Sequence, residues 1–242
     1  MQVDQATFTS AQTHHLQGYH LVSRSHGITS EIASSLSTWG PSHASLAEES
    51  RTASSLNVFP VGNGKFALSR TFFGGPEYSS RGGLQVVTRF LVFRSDQLAG
   101  YENDFTAIAR IALAVGELRL QSEISERLPM VDFPASSVIA SAPLQGNQHD
   151  DQSPSFAELK HSVQENRRAA VVGCANPLDL MERVIRSVPV QNRLQISFTT
   201  GLNPSVHRPF LLHCLPQPNA SLQRRLDEQG IVTVNAPLEP VH

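Results

Sequence analysis

The chain has 242 residues, with 19 Lys plus Arg, 21 Asp plus Glu and a formal net charge of -2. Sequence-independent binding to nucleic acid or to anionic lipid requires clustered positive charge, so neither a nucleic-acid partner nor a membrane is expected. Hydrophobic residues make up 40% and charged residues 17%, which supplies enough apolar material for a core that needs no disulfide or metal.

The chain begins with two predicted strands and a short helix. Residues 5–11 and 19–25 have the composition of strands, and a turn-prone Gln-Gly step separates them. Residues 29–36 are predicted to be helical because Ile32 and Leu36 lie four positions apart and a Thr can cap the first turn.

A hairpin and a central strand are predicted next. Residues 57–61 and 65–73 flank an Asn63-Gly64 step, and such a step reaches the positive φ values that a tight hairpin requires. Residues 84–93 carry apolar side chains on both faces, with Thr88-Arg89 as polar exceptions. A strand that is apolar on both sides is typical of the middle of a sheet.

A helix and a linker complete the first half. Residues 104–115 show a helical apolar stripe that includes Val115, whereas residues 116–142 keep no clear period. Residues 143–154 contain one aliphatic side chain and two adjacent acids, and this composition predicts a polar, solvated linker. We therefore predict a mixed α/β domain at residues 1–142 and a second domain at 155–242.

The second unit has the pattern of a small α/β layer structure. A Ser155–Glu158 capping box opens its first helix, and alternation of apolar and polar residues predicts a half-buried strand that bears Ser197 and Thr199. The predicted order is helix, strand, helix, strand, strand, helix and strand, at residues 155–163, 169–173, 176–185, 194–199, 210–215, 219–230 and 231–234. The fold class is α/β (α+β).

Catalytic and metal-binding motifs are weak in this sequence. The segment Gly40–Ala44 approximates a nucleophile elbow, but it follows a helix where an elbow needs a strand. Cys174 and Cys214 do not form a Cys-x-x-Cys pair, so buried thiols are expected rather than a zinc knuckle or a dithiol redox pair. The histidines show no His-x-x-x-His spacing. We therefore predict no catalytic residues, no metal and no cofactor.

The N-terminal residues lack the basic and apolar regions of a signal peptide, and no stretch approaches the roughly 18 apolar residues of a membrane span. A cytoplasmic location is expected.

The loop at residues 74–83 is the strongest candidate for ligand or partner contact. It offers glycines, the Tyr78 ring and the Arg81 guanidinium, followed by Gly82-Gly83. Backbone donors on such a loop can approach an anion, and Arg81 could bind it through two parallel hydrogen bonds. A long connection between strands equally needs glycines for its turns, so the sequence leaves both interpretations open.

Several segments resemble one bacterial family. Residues 5–8, 18–22 and 25–29 look like the start of the type 2 N-terminal domain of GTPase-associated proteins, which are encoded in predicted conflict, or defence, systems. Residues 78–83, followed by the strand that ends at residues 90–93, are similar to the most recognisable segment of that domain. In the family a His often stands in this strand, and this chain has Arg89 there.

Residues 194–201, which follow Val188-Pro189, resemble the middle domain of the same family. The resemblance implies a non-enzymatic adaptor or scaffold that associates with a GTPase and an effector. The candidate residues for partner or ligand binding are Tyr78, Arg81, Gly82, Gly83, Arg89, Ser197 and Thr199. Two alternatives stay open. One is a hydrolase or nucleotide-binding enzyme with a site at the Arg81–Gly83 loop or near Cys174, and the other is a purely structural subunit.

Overall fold

The computed structural model describes residues 1–12, 17–48, 50–77, 83–120, 125–135, 153–216 and 218–236, which contain an 11-stranded mixed sheet. The strands are β1 (Gln2–Gln12), β2 (Gln17–Ser25), β3 (Ser54–Gly62), β4 (Lys65–Pro76), β5 (Leu84–Arg94), β6 (Arg127–Leu128), β7 (Val131–Asp132), β8 (Ala169–Val172), β9 (Phe198–Thr199), β10 (Leu212–Leu215) and β11 (Val232–Asn235). The helices are α1 (Ser30–Trp39), α2 (Ser95–Ala99), α3 (Phe105–Val115), α4 (Pro154–Gln164), α5 (Pro177–Arg186) and α6 (Ala220–Glu228). This mixed arrangement confirms the predicted fold class.

One sheet runs through both halves of the chain. Its strand order is β11-β8-β10-β9-β3-β4-β5-β1-β2-β6, with β7 paired to β1. The four strands from β11 to β9 are parallel, and those from β3 to β2 are antiparallel. The two halves meet where β9 pairs antiparallel with β3, placing Thr199 opposite Asn57 and Phe198 opposite Val58.

Local sequence signals explain most element boundaries. The hairpin between β3 and β4 turns at Asn63 and Gly64, whose φ angles are 52° and 66°, as the Asn-Gly step predicts. The Thr29 side chain caps α1 by accepting from the Ile32 amide, and Asp104 caps α3 in the same way. The predicted hairpin turn and the Thr29 cap are confirmed, as is the central position of β5 between β4 and β1.

Two helix predictions need correction. The helix α4 begins at Pro154, and the Ser153 side chain caps it by accepting from the Phe156 amide, so the predicted capping box at Ser155 is wrong. Proline is favoured at the first helical position, which shifts the start toward the linker. Val115, the last residue of α3, lies next to Gly116. It is 49% exposed and so does not face the core.

The predicted strand at residues 194–199 is mostly a 3-10 helix, Val190–Gln195, and only Phe198–Thr199 are extended. Arg193 accounts for the difference. Its buried guanidinium donates through Nε to the Val188 carbonyl at 3.1 Å and through Nη1 to the Glu102 carbonyl at 3.0 Å. These bonds satisfy two carbonyl oxygens and fix a turn where alternation alone predicts a strand.

Helices cover both faces of the sheet. One apolar cluster includes residues of α3, α4 and α5 and of strands from both halves. A second cluster packs α1 on the opposite face of the first half, and a third packs α6 on the opposite face of the second half. The largest cluster therefore crosses the point where β3 and β9 meet.

Candidate functional site

The ends of the candidate loop are fixed to the sheet, although Tyr78, Arg81 and Gly82 lie outside the described residues. The Glu77 amide donates to the Gly83 carbonyl at 3.0 Å, which closes the loop at its base. Both ends leave directly from paired strands, because β4 ends at Pro76 and β5 begins at Leu84. The predicted loop at residues 74–83 is therefore confirmed as a connection between two strands, but its first three residues, 74–76, belong to β4.

Side chains from two other segments bond to Glu77, and a third side chain contacts one of them. Its Oε1 accepts from Ser10 Oγ at 2.9 Å and lies 2.9 Å from His43 Nε2. The opposite ring nitrogen of His43 is 3.5 Å from the Tyr19 hydroxyl, which in turn accepts from the Val86 amide at 3.1 Å. We call these four side chains, Ser10, Tyr19, His43 and Glu77, the loop anchor.

The loop anchor holds the start of the loop against neighbouring segments, and its geometry differs from that of a nucleophilic triad. In a Ser-His-acid triad the imidazole lies between the hydroxyl and the carboxylate. Here the Glu77 carboxylate lies between Ser10 and His43, so the imidazole does not accept a proton from the hydroxyl. Burial, the main cause, raises the pKa of Tyr19, with a smaller opposing effect from its bond to the Val86 amide. This tyrosine therefore stays a neutral hydrogen-bonding group at neutral pH.

Sequence reasoning missed the loop anchor. His43 belongs to the Gly-Pro-Ser-His segment that fails as a nucleophile elbow, and Glu77 is the acid just before the candidate loop. No local pattern links them, since they lie 34 residues apart. The two meet only in the folded chain, where the turn after α1 that carries His43 lies beside the end of β4.

Arg89 is a buried part of the sheet. It is 1% exposed, and its guanidinium donates to Thr7 Oγ1 and Gln5 Oε1, each at 2.6 Å. Burial is the main cause that lowers its pKa, while Glu117 acts in the opposite direction. Arg89 thus holds β5 to β1, and in this structure its head group does not reach the surface.

Thr199 and Ser197 also bond within the fold. Thr199 is 0% exposed, and its hydroxyl donates to Asn57 Oδ1 at 2.7 Å. Ser197 Oγ accepts from the Leu211 amide at 3.0 Å, on the segment that leads into β10. The predicted polar strand face that bears both residues is therefore absent, because the two side chains serve separate internal contacts.

A cleft of about 200 Å³ lies at the carboxyl ends of the parallel strands. Residues that follow β8, β9 and β10 line it, among them Cys174, Thr200 and Pro216. The connection from β8 crosses β10 to reach β9, whereas the connection from β10 crosses β8 to reach β11. Adjacent strands whose connections leave in opposite directions form a crevice, which is the usual ligand position in such sheets.

The two cysteines meet in the wall of this cleft. Contact with the Cys174 thiol, followed by burial, raises the pKa of Cys214 well above its ordinary value. Cys214 is buried, and Cys174 is half-buried. The expectation of buried thiols is thus confirmed for Cys214. The pairing itself was not predicted, because the residues are 40 positions apart (214 − 174) and share no motif.

His213 lies beside Cys214 in β10 but is fully buried against Phe210. Among the described residues, no partner forms a hydrogen bond of good geometry with either of its ring nitrogens. Burial, followed by the charge of Arg168, lowers its pKa to about 3, so the ring is neutral at physiological pH. His213 is not among the residues that line the cleft, and it is not placed to act as a base for the Cys174 thiol.

Within the described ranges no three His, Cys, Asp or Glu side chains gather in a way that could hold a metal ion. No described helix combines the length and the apolar character needed to cross a membrane.

Comparison with known proteins identifies the first half of the chain. A family model described as GTPase-associated protein 1, N-terminal domain type 2, matches residues 2–132. The matched range begins at the first residue of β1 and ends at the last residue of β7, and it contains the candidate loop. No curated protein and no solved structure matches the chain.

Proposed function

We propose that this chain, which belongs to the GTPase-associated protein 1 family through its type 2 N-terminal domain, is a non-enzymatic adaptor. It associates with a GTPase and with an effector in a bacterial conflict system. The observation that carries the proposal is the family match over residues 2–132, which covers more than half of the 242 residues. The partner classes come from the resemblance described above, and the family's name supports a GTPase as one of them.

The loop that starts at Glu77 and ends at Gly83 is the proposed contact surface for the GTPase. Its Tyr78 and Arg81 supply an aromatic ring and a guanidinium, which are side chains enriched at the centres of protein interfaces. Support comes from the loop anchor, since a loop whose ends are held loses less conformational entropy on binding. His43, with 53% of its side chain exposed, extends the surface beside the loop.

Arg89, Ser197 and Thr199 are proposed to support the fold, and Ser197 does so by accepting from the Leu211 amide. Arg89 ties β1 to β5, and Thr199 ties β9 to β3, so both support the sheet beneath the loop. Residues 155–242 serve as the second, middle domain of the adaptor and contact the effector. Binding of two partners by two halves of one continuous sheet would keep the partners at a fixed separation.

A hydrolase or nucleotide-binding enzyme is the second candidate, and the cleft beside Cys174 favours it because enzymes of parallel sheets place their sites at this edge. A cysteine nucleophile needs a base within hydrogen-bond reach. The residues that line the described cleft include no histidine. Nucleotide hydrolysis by the purified chain that is lost in Cys174→Ser would establish the enzyme and overturn the adaptor.

The adaptor is tested by purifying the tagged chain from its native host in the presence of GDP or of a non-hydrolysable GTP analogue. We expect a GTPase, identified by mass spectrometry, to be recovered in stoichiometric amount in one nucleotide state. The variant Arg81→Ala should lose it, whereas Arg224→Ala, which removes an exposed arginine from α6, should retain it. Recovery of no GTPase with the wild-type chain in either state would contradict the proposal.

A further inference from the structure

The carboxyl end of β8 places two thiols side by side in the wall of the cleft. Gly173 follows β8 with a φ of 74°, a left-handed conformation that glycine adopts without strain. Cys174 follows this turn, and the neighbouring strand β10 carries Cys214 opposite Val171, so the two thiols lie against each other. Both residues line the same cleft.

We propose that Cys174 and Cys214 are a reversible redox pair, in which hydrogen peroxide or a related hydroperoxide converts the two thiols into an intramolecular disulfide. The reagent reaches the pair through the cleft. The inference does not depend on the proposed association with a GTPase.

The two cysteines have unequal environments, which assigns their roles. Cys174 is half-buried and lies two residues before Asn176, the N-cap of the ten-residue helix α5. A reagent in the cleft therefore meets the Cys174 sulfur first, and the thiolate form of a thiol is the form that attacks peroxide. Cys214 is 1% exposed, and both its contact with Cys174 and its burial raise its pKa. Cys174 is therefore the attacking residue and Cys214 the resolving one.

The chemistry balances with one peroxide for each pair of thiols. The Cys174 sulfur attacks one peroxide oxygen, so that an S–O bond forms, the O–O bond breaks and the departing hydroxide takes the thiol proton and leaves as water. The Cys214 sulfur then attacks the sulfur of the sulfenic acid. An S–S bond forms, the S–O bond breaks, and the second oxygen leaves as water with the Cys214 proton. The two thiols lose two electrons in total, and the peroxide is reduced to two waters.

The structural consequence is a link across the cleft wall. Cys214 belongs to β10, whereas Cys174 belongs to the turn that leads into α5. A disulfide between them ties the end of a strand to the start of a helix, next to Thr200 and Gly201 of the segment that follows β9. Oxidation would therefore hold these two parts of the cleft wall together, and reduction would release them.

The test is to treat the full-length purified protein with hydrogen peroxide, unfold it, block thiols with iodoacetamide and measure its intact mass. The proposal predicts a monomer that is lighter by two hydrogen atoms and carries no alkyl group. Dithiothreitol should then restore two alkylation sites. A peptide that links Cys174 to Cys214 should appear in the digest of the oxidised protein only.

Two single variants separate the roles of the cysteines. In Cys214→Ser, dimedone should trap a sulfenic acid on Cys174 after peroxide treatment. In Cys174→Ser, the buried Cys214 should remain a thiol under the same conditions. The proposal is overturned if the oxidised wild-type protein keeps two alkylatable thiols or forms its disulfide between two molecules. It is also overturned if Cys214 rather than Cys174 becomes the sulfenic acid in the single variants.

Discussion

Asn57 shows how one buried side chain can join strands that are distant in sequence. Its Oδ1 accepts from Ser55 Oγ and from Thr199 Oγ1, each at 2.7 Å, and its Nδ2 donates to Ser69 Oγ at 3.2 Å and to Thr71 Oγ1 at 3.3 Å. All these residues are buried. The amide is therefore the centre of a network that spans β3, β4 and β9, where the two halves of the sheet meet.

Replacing Asn57 with Ala should destabilise the protein strongly. The change leaves several buried hydroxyls without their partner, and each unsatisfied buried group costs roughly 1–3 kcal/mol. Urea unfolding measures the loss as a lower midpoint with little change in slope. The matched control is Ser37→Ala, which removes an exposed hydroxyl that donates to the Ala33 carbonyl within α1. The control should change stability by less than about 0.5 kcal/mol, and equal losses in the two variants would refute this role of Asn57.

The lowered pKa of the buried His213 predicts that the stability of the protein depends on pH. Its pKa in the folded protein is about 3, below the ordinary value of 6.5, because burial, chiefly, and the charge of Arg168 disfavour the protonated ring. Between these two values the unfolded chain binds a proton that the folded chain does not bind. The contribution of His213 to the free energy of unfolding is therefore fully present above pH 6.5. It decreases as the pH drops toward 3, at up to about 1.4 kcal/mol per pH unit.

The variant His213→Leu isolates this contribution from that of the carboxylates. We expect its free energy of unfolding, measured by urea titration, to fall less steeply than that of the wild type between pH 6.5 and the acid limit of folding. Above pH 6.5 the free energies of unfolding of the two proteins should differ by a constant amount. Parallel curves over the whole range would show that His213 does not supply the slope.

At the scale of elements, charged side chains join α3 of the first half to α5 of the second. Glu182 Oε2 accepts from Arg110 Nη2 at 2.9 Å, and its Oε1 accepts from Arg186 Nη2 at 2.9 Å. Arg186 Nε donates to Asp104 Oδ2 at 3.1 Å, so the N-cap of α3 is part of the same network. Only 5% of the Glu182 and Asp104 side chains is exposed.

Neutralising Glu182 should weaken the contact between α3 and α5. In Glu182→Gln the shape is kept, but two arginines lose their shared carboxylate. Because 46% of the Arg110 side chain is exposed and can be hydrated, we expect a loss of roughly 2 kcal/mol, at the lower end for a buried ion pair. Thermal unfolding measures it as a lower midpoint.

The control is Asp96→Asn, which breaks the exposed pair between Arg94 and Asp96, whose side chains are 56% and 68% exposed. This variant should leave the midpoint almost unchanged, since water already solvates both groups. A similar shift in the two variants would mean that burial of Glu182 adds nothing to its ion pairs.

Elements whose signal is local were predicted well from the sequence. Thr29, Asn63-Gly64 and Asn219 each act within a few residues, as a cap or a turn, and the structure confirms all three. Periodicity was less reliable for residues 194–199. Ile196 and Phe198 are buried as the alternation predicts, but the bond from Arg193 to the distant Glu102 carbonyl selects a 3-10 helix. No pattern within the segment reports such a contact.

At the scale of the whole molecule, the sequence did not predict that one sheet joins the two halves of the chain. The pairing of β3 with β9 involves only two residues on each strand, and 142 residues separate Asn57 from Thr199. Long-range pairing of this kind depends on which strand edges remain open after each half folds, and local composition does not encode that. The loop anchor and the cysteine pair escaped prediction for the same reason.

The continuous sheet matters for the proposed adaptor because it connects the candidate loop to the cleft through hydrogen-bonded strands. The loop leaves from β4 and β5, and the cleft lies where β8, β9 and β10 end. Partners bound to the two halves would therefore hold a defined relative orientation. A rigid connection of this kind is what an adaptor needs in order to present one protein to another.

The most direct test is calorimetric titration of the purified chain with the GTPase recovered from its host, loaded first with GDP and then with a non-hydrolysable GTP analogue. The account predicts a stoichiometric complex whose affinity differs by about tenfold or more between the two nucleotide states. Arg81→Ala should lose the complex, and Arg224→Ala should keep it. Absence of binding in both states, or equal binding by the wild-type chain and Arg81→Ala, would contradict it.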